Sequence, residues 1–249
     1  MNIVKHLPNS ITLCNLLCGC LAIVLAFNQL YDCALLIILL GGVFDFCDGL
    51  VARQLKAYSA IGKELDSLSD LVTFGVAPAF VGFNFASSNL NGVYLYLAYI
   101  PFLIPLFSAL RLAKFNLDQR QLHTFLGLPT PASAITFVSL IATLSFLMEG
   151  NLVSSAYFKL SIIMVLFMSL LLSALLISEI PMFSLKLSSL SYKENKALYL
   201  FLALVLTEII LTSILGLRYS LLIFFILVTY ISYNLLLTII QKIANFNRK

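Results

Sequence analysis

The chain has 249 residues, 61% of them hydrophobic and only 10% charged, with a formal net charge of +4. A soluble domain sits nearer half apolar and a quarter charged, so a mean hydropathy of +1.03 excludes that class and marks an integral membrane protein. No room is left for a soluble domain and no nucleic-acid partner is expected, so residues 1–249 read as a single membrane domain.

Crossing the hydrocarbon takes about 20 apolar residues. Eight stretches satisfy this, at about 10–28, 31–52, 66–86, 92–112, 130–148, 157–178, 197–215 and 219–241. The first is too long for a signal peptide and lacks a plausible cleavage site, so it is expected to stay as a helix. Cys14, Cys18, Cys20, Cys33 and Cys47 have no histidine at ligand spacing and read as small packing residues. His6 and His123 stand alone. The expected fold is an all-α, polytopic membrane bundle of about eight transmembrane helices.

Lysine and arginine orient that bundle. Lys5, Arg53, Lys56, Lys63, Arg111, Lys114, Arg120, Lys186, Lys193, Lys196, Lys242, Arg248 and Lys249 fall on one side, and only Lys159 and Arg218 on the other. By the positive-inside rule both termini are expected in the cytoplasm, which an even number of spans allows. Pro129 and Pro131 suit the start of the fifth span.

Between the second and third spans lies the main exception to this greasy pattern. Asp45, Asp48, Asp66 and Asp70 interrupt it at helical spacing, together with Gly49, Ala52, Arg53 and Gly62. Acids are costly near a bilayer core and are rarely kept there without a role. At about 100° per residue, Asp45, Asp48, Gly49, Ala52 and Arg53 share an arc of roughly 140°, and Gly62, Asp66, Ser69 and Asp70 share another. A short polar turn between them lets the two faces meet as an antiparallel pair. Asp45 falls about 20 Å from the outer end of its span, near headgroup depth on the cytoplasmic side. Oxygen-only clusters suit hard divalent cations, Mg2+ or Mn2+, and two ions would neutralise four carboxylates and clamp a diphosphate. Arg53 offers a bidentate donor for phosphate oxygens. One alternative is a set of acids paired with Arg53, Lys56 and Lys63. Another is a divalent-cation or lipid transporter, although that would spread its acids along a path through the bilayer.

At these residues the chain resembles the CDP-alcohol phosphatidyltransferases. Their signature D-x2-D-G-x2-A-R-x8-G-x3-D-x3-D is filled at every fixed position from Asp45 to Asp70. The resemblance implies that Asp45, Asp48, Asp66 and Asp70 hold the metals and that Asp70 also takes a proton from the acceptor alcohol. It implies that Gly49, Arg53 and Ser59 contact the CDP-lipid. The family's Pro-Asn-x-x-Thr element, present as Pro8 to Thr12, would set Asn9 and Thr12 near the cytidine and phosphates.

Two further stretches, Ser69 to Ala79 and Leu7 to Gly19, look like the bacterial membrane-embedded phosphatidylserine synthases of that family. So do Leu110 to Asn116 and Gly127 to Ala132. The implied substrates are CDP-diacylglycerol and L-serine, with phosphatidylserine and CMP as products, in the cell (inner or plasma) membrane with the site facing the cytoplasm. A homodimer is also implied. A serine carboxylate needs cations, and Arg111 and Lys114, three residues apart, would share one helical face, with Asn116 beside them. The plainer reading of this pair is positive-inside anchoring. Within the same chemistry the acceptor could instead be glycerol 3-phosphate or inositol phosphate, for which a denser Arg/Lys pocket is expected.

Overall fold

The structure, a computed structural model, describes residues 6–57, 59–117, 125–149, 155–182 and 196–246. Lys5, Arg120, His123, Lys186, Lys193, Arg248 and Lys249 from the charge pattern above lie outside the described residues.

Helix α1 spans Leu7–Phe27 and opens with Pro8 in its first turn, where a missing N–H costs no helical bond. It stops at Gln29, whose left-handed φ of 60° lets the Leu30 amide bond back to the Leu25 carbonyl at 3.0 Å. Helix α2, Tyr31–Gln54, ends the same way: Lys56 has φ 49° and the Ala57 amide reaches the Ala52 carbonyl at 3.0 Å. Ser59 then caps α3, Ala60–Asp70, its hydroxyl accepting from the Gly62 amide at 2.9 Å.

The third span begins earlier than its hydropathy suggests. From α3 the chain runs on through a π-helical turn, Leu71–Val76, into α4, Ala77–Asn89, giving one continuous 30-residue helix. The fourth span starts as a tight 3-10 segment, Gly92–Phe102, and relaxes into α5, Leu103–Leu117. A 3-10 segment rises about 2.0 Å per residue, so it crosses depth faster than an α-helix. Helices α6 (Thr130–Glu149), α7 (Ser155–Ile177), α8 (Lys196–Ile214) and α9 (Tyr219–Phe246) complete the bundle. A two-residue antiparallel pairing joins β1, Phe125–Leu126, to β2, Pro181–Met182. Among the described residues seven helices are long and apolar enough to cross a membrane, and the eighth expected span corresponds to the shorter apolar helix Leu198–Ile214.

Lipid tails are as apolar as leucine, so helices associate here through close packing rather than water exclusion. The contact of α1 with α2 is the most extensive in the fold, with Ala22, Ala26 and Ala34 fully buried. Phe74, Phe85 and Phe137 fill the space among the π-helical turn, α4 and α6. At the end of the bundle away from the acids, Arg218 bonds Asp32 at 3.2 Å and lies 4.0 Å over the ring of Phe146. That latch ties the start of α9 to α2 and α6.

A close backbone approach lies beside the acids. A Cβ on Gly19 would sit 2.7 Å from the Thr73 hydroxyl and 2.8 Å from the Thr73 Cα, so α1 touches the backbone of the π-helical turn. A Cβ on Gly41 would meet the Thr73 methyl at 2.7 Å from the other side. Gly19→Ala must therefore push two backbones apart, at a cost of about 1–3 kcal/mol. The expected result is a lower thermal midpoint in detergent, with activity falling too because Asp70 is three residues from Thr73. An unchanged melt would show that this contact yields easily.

Candidate active site

The site is assembled by three helices, α1, α2 and α3. Asp45, Asp48 and Asp66 each place an oxygen within 4.8 Å of the other two. Asp45 is central, with Asp66 and Asp70 both among its electrostatic neighbours. Asp70 therefore joins the cluster through Asp45 and is not part of the close trio.

The reason lies in how the backbones pack. Helix α3 packs chiefly on α1, so the acidic faces of α2 and α3 meet through their carboxylates and not along closely packed backbones. Small residues hold the two helices' facing surfaces open. An added Cβ at Gly49 would find only the Arg53 guanidinium, at 3.6 Å, whereas one at Gly62 would meet the Asn9 side chain of α1 at 3.0 Å. Gly49 thus leaves room for a ligand, and Gly62 lets α1 approach.

Helix α1 closes the site with a polar stripe. Asn9, Thr12 and Asn15 recur every three residues and so share one helical face. The Thr12 hydroxyl donates to Asp48 Oδ2 at 2.5 Å and also lies 3.1 Å from the Pro8 carbonyl. Asn15 donates its amide N–H to Asp70 Oδ1 at 3.1 Å, and its backbone carbonyl accepts from the Thr73 hydroxyl at 2.8 Å. Asn15 was not among the site residues expected from the sequence. A run of three polar side chains at helical spacing within an apolar span is the signal that could have found it.

Between α1, α2 and α3 lies a cavity of about 540 Å³, large enough for a nucleotide diphosphate. Asn9, Thr12, Gly49, Arg53 and Ser59, the five residues expected to contact a CDP-lipid, all line it. Asp48 and Asp66 form its acidic wall, and Arg53 and Lys63 are its lining cations. Ser59 has a second task as the cap of α3. Lys63, read from sequence as a topological charge or an ion-pair partner of the acids, reaches the Asn116 carbonyl at 3.1 Å.

The three expected acceptor residues separate. Arg111 on α5 is buried, with Asp70 and Tyr230 as electrostatic neighbours, and its Nε has no hydrogen-bond partner. Lys114 is exposed, so it does not share a working face with Arg111. Three residues of α-helix is about 60° short of a full turn, and α5 meets the π-helical turn where Ser108, three residues before Arg111, lies against Gly75. Asn116 is a brace, donating to the Ser67 hydroxyl at 2.8 Å.

The donor set fits a hard divalent cation. All candidate ligand atoms are carboxylate oxygens, and Asp66 Oδ1 is buried with no hydrogen-bond partner. Like charges about 5 Å apart repel by roughly 3 kcal/mol per pair at an effective dielectric near 20, which a cation would reverse.

Known proteins with similar sequences carry the same pattern of names. One from Bacillus subtilis (strain 168), named a CDP-diacylglycerol–serine O-phosphatidyltransferase, is 41% identical over 142 residues, covering 56% of this chain and 77% of that protein. One of the same name from Methanocaldococcus jannaschii is 40% identical over 129 residues, covering 51% of this chain and 56% of that protein. An archaetidylserine synthase from Methanothermobacter thermautotrophicus is 36% identical over 139 residues, covering 55% of this chain and 58% of that protein. The match therefore spans little more than half the length of the two archaeal relatives. The family model described as CDP-alcohol phosphatidyltransferase reaches much further, from residue 5 to residue 245, from the start of α1 into the last turn of α9. The chain belongs to the CDP-alcohol phosphatidyltransferase family.

Proposed function

We propose that this protein transfers the phosphatidyl group of CDP-diacylglycerol to the hydroxyl of L-serine, giving phosphatidylserine and CMP. The observation that carries this reading is the cavity, whose acidic wall, Arg53 and Asn9–Thr12 edge suit a cytidine diphosphate. The names of the relatives favour serine as the acceptor.

In this reading Asp45, Asp48, Asp66 and Asp70 hold two divalent ions, Mg2+ or Mn2+. Bound there, the ions would offset the charge of the diphosphate and of the departing CMP. Arg53 holds phosphate oxygens through its planar fork, and Gly49 gives the diphosphate access to the α2 backbone. The serine oxygen attacks the phosphorus bearing diacylglycerol, the bond from that phosphorus to the CMP oxygen breaks, and the serine proton passes to Asp70. Positioning and electrostatics do most of the work, as in phosphoryl transfer generally. Arg111, buried beside Asp70 with an uncommitted Nε, receives the serine carboxylate. Asn116 acts through its brace, and Lys114 adds an exposed cation one turn along α5.

The proposal extends to placement and assembly. The chain is one membrane domain in the cell (inner or plasma) membrane, with both termini and the acids on the cytoplasmic side, as the positive-inside count supports. A homodimer follows from the family resemblance, and crosslinking in native membranes tests it.

The deciding experiment follows CMP release from CDP-diacylglycerol by purified protein with Mg2+ or Mn2+, against serine, glycerol 3-phosphate and inositol phosphate. Release with serine alone is the expected outcome. Release with a phosphorylated acceptor alone would reassign the acceptor within the same family. Two variants separate the subsites. Arg53→Lys keeps the charge but loses the fork, so the KM for CDP-diacylglycerol should rise about tenfold. Arg111→Gln should raise the KM for serine by a similar factor and leave CDP-lipid binding intact. An unmoved serine KM would leave Arg111 as a packing residue.

A further inference from the structure

We infer that Asn15 is a positioning residue that orients the Asp70 carboxylate toward the acceptor hydroxyl. This rests on the reading of Asp70 as the proton acceptor. The geometry that supports it has several independent parts. Asn15 is fully buried in α1, and its side chain crosses to α3 to donate to Asp70 Oδ1 at 3.1 Å. The direction of the amide is fixed by chemistry, since a carboxylate only accepts and the amide nitrogen must therefore face it. Its own Oδ1 is left buried with no hydrogen-bond partner, a cost that an apolar residue of similar volume would not carry. Keeping an asparagine there makes sense only if the N–H is needed.

The surroundings hold this pair rigid. The Thr73 hydroxyl bonds the Asn15 backbone carbonyl at 2.8 Å, so the π-helical turn after Asp70 is clamped to the residue that grips Asp70. Gly19 and Gly41 make that clamp possible: a Cβ on Gly41 would meet the Asn15 Oδ1 at 3.1 Å, and one on either glycine would strike Thr73 at 2.7 Å. Asp70 is thus held on one oxygen by Asn15, whose backbone is itself pinned by Thr73. Oδ1 takes the Asn15 N–H, and in this reading Oδ2 faces the alcohol. Thr12 does the corresponding service for Asp48 one turn earlier.

The test uses the enzyme with CDP-diacylglycerol, serine and Mg2+, and compares Asn15→Ala, which removes donor and volume, with Asn15→Leu, which removes the donor and keeps most of the volume without adding charge. Both should lower kcat about 30- to 100-fold, the scale expected for a misplacement of about 1 Å, while the KM for CDP-diacylglycerol stays put. A kcat near wild type in either folded variant would overturn the inference, as would a loss that appears equally in KM. Should one variant fail to fold, the other decides. Asp70→Asn and its combinations with each Asn15 change are measured alongside. If Asn15 acts through Asp70, its substitution costs nothing further in the Asp70→Asn background. An equal further loss there places Asn15's role elsewhere and overturns the inference. Asp70→Asn turning over like wild type would instead defeat the reading of Asp70 itself, whatever Asn15 does.

Discussion

Asp45→Asn and Asp66→Asn should each abolish measurable turnover, a loss of at least about 100-fold, and excess chelator should do the same to the wild type. The magnitude follows from comparison: changing a residue that only supports a metal ligand typically costs about 10- to 100-fold, so losing a ligand should cost more. Asp45 is expected to be the most sensitive position. It has an oxygen within 4.8 Å of both Asp48 and Asp66, and Asp70 is its electrostatic neighbour as well. An amide in its place is a poor ligand for a hard cation and breaks the geometry on both sides. Binding of CDP-diacylglycerol should fall together with turnover in Asp45→Asn, because the diphosphate loses its counter-charge. Added Mg2+ or Mn2+ should restore the chelated wild type and leave the variants inactive. Full activity in excess chelator would end the metal reading.

Asp70→Asn should behave differently. It should lose about 100- to 10,000-fold in kcat, the usual contribution of a general base, while much of its affinity for CDP-diacylglycerol remains. The close trio explains the split. Asp45, Asp48 and Asp66 stay together without Asp70, and the cavity is lined by Asp48 and Asp66 but not by Asp70. A binding measurement on each variant, with metal and CDP-diacylglycerol present, checks this. Equal loss of binding in Asp70→Asn and Asp45→Asn would make Asp70 a ligand only, and the base would have to be another group near Arg111.

Much of this protein was legible in its residues before any fold was known. Runs of about twenty apolar residues mark the spans because the bilayer sets that length. Four acids at helical spacing stand out because the bilayer penalises them, and the filled signature from Asp45 to Asp70 names the family. The cavity-lining residues Asn9, Thr12, Gly49, Arg53 and Ser59 were also legible, since each belongs to a short motif whose members are near one another in the chain.

What the tertiary structure alone decided is the pairing of faces. Periodicity tells which residues share a side of one helix, but it does not say which neighbour that side meets, and in lipid every apolar face is equally acceptable to its surroundings. Hence the placement of α3 against α1 could not be read from α2 and α3 themselves. Glycines decide it: only where Gly19, Gly41 and Gly62 remove a Cβ can the backbones come close enough to bring Thr73 onto Asn15 and Asn9 toward Ser59. The same limit separates Arg111 from Lys114. Their spacing put them on one arc, and the packing of α5 on the π-helical turn buried one beside Asp70 and left the other exposed.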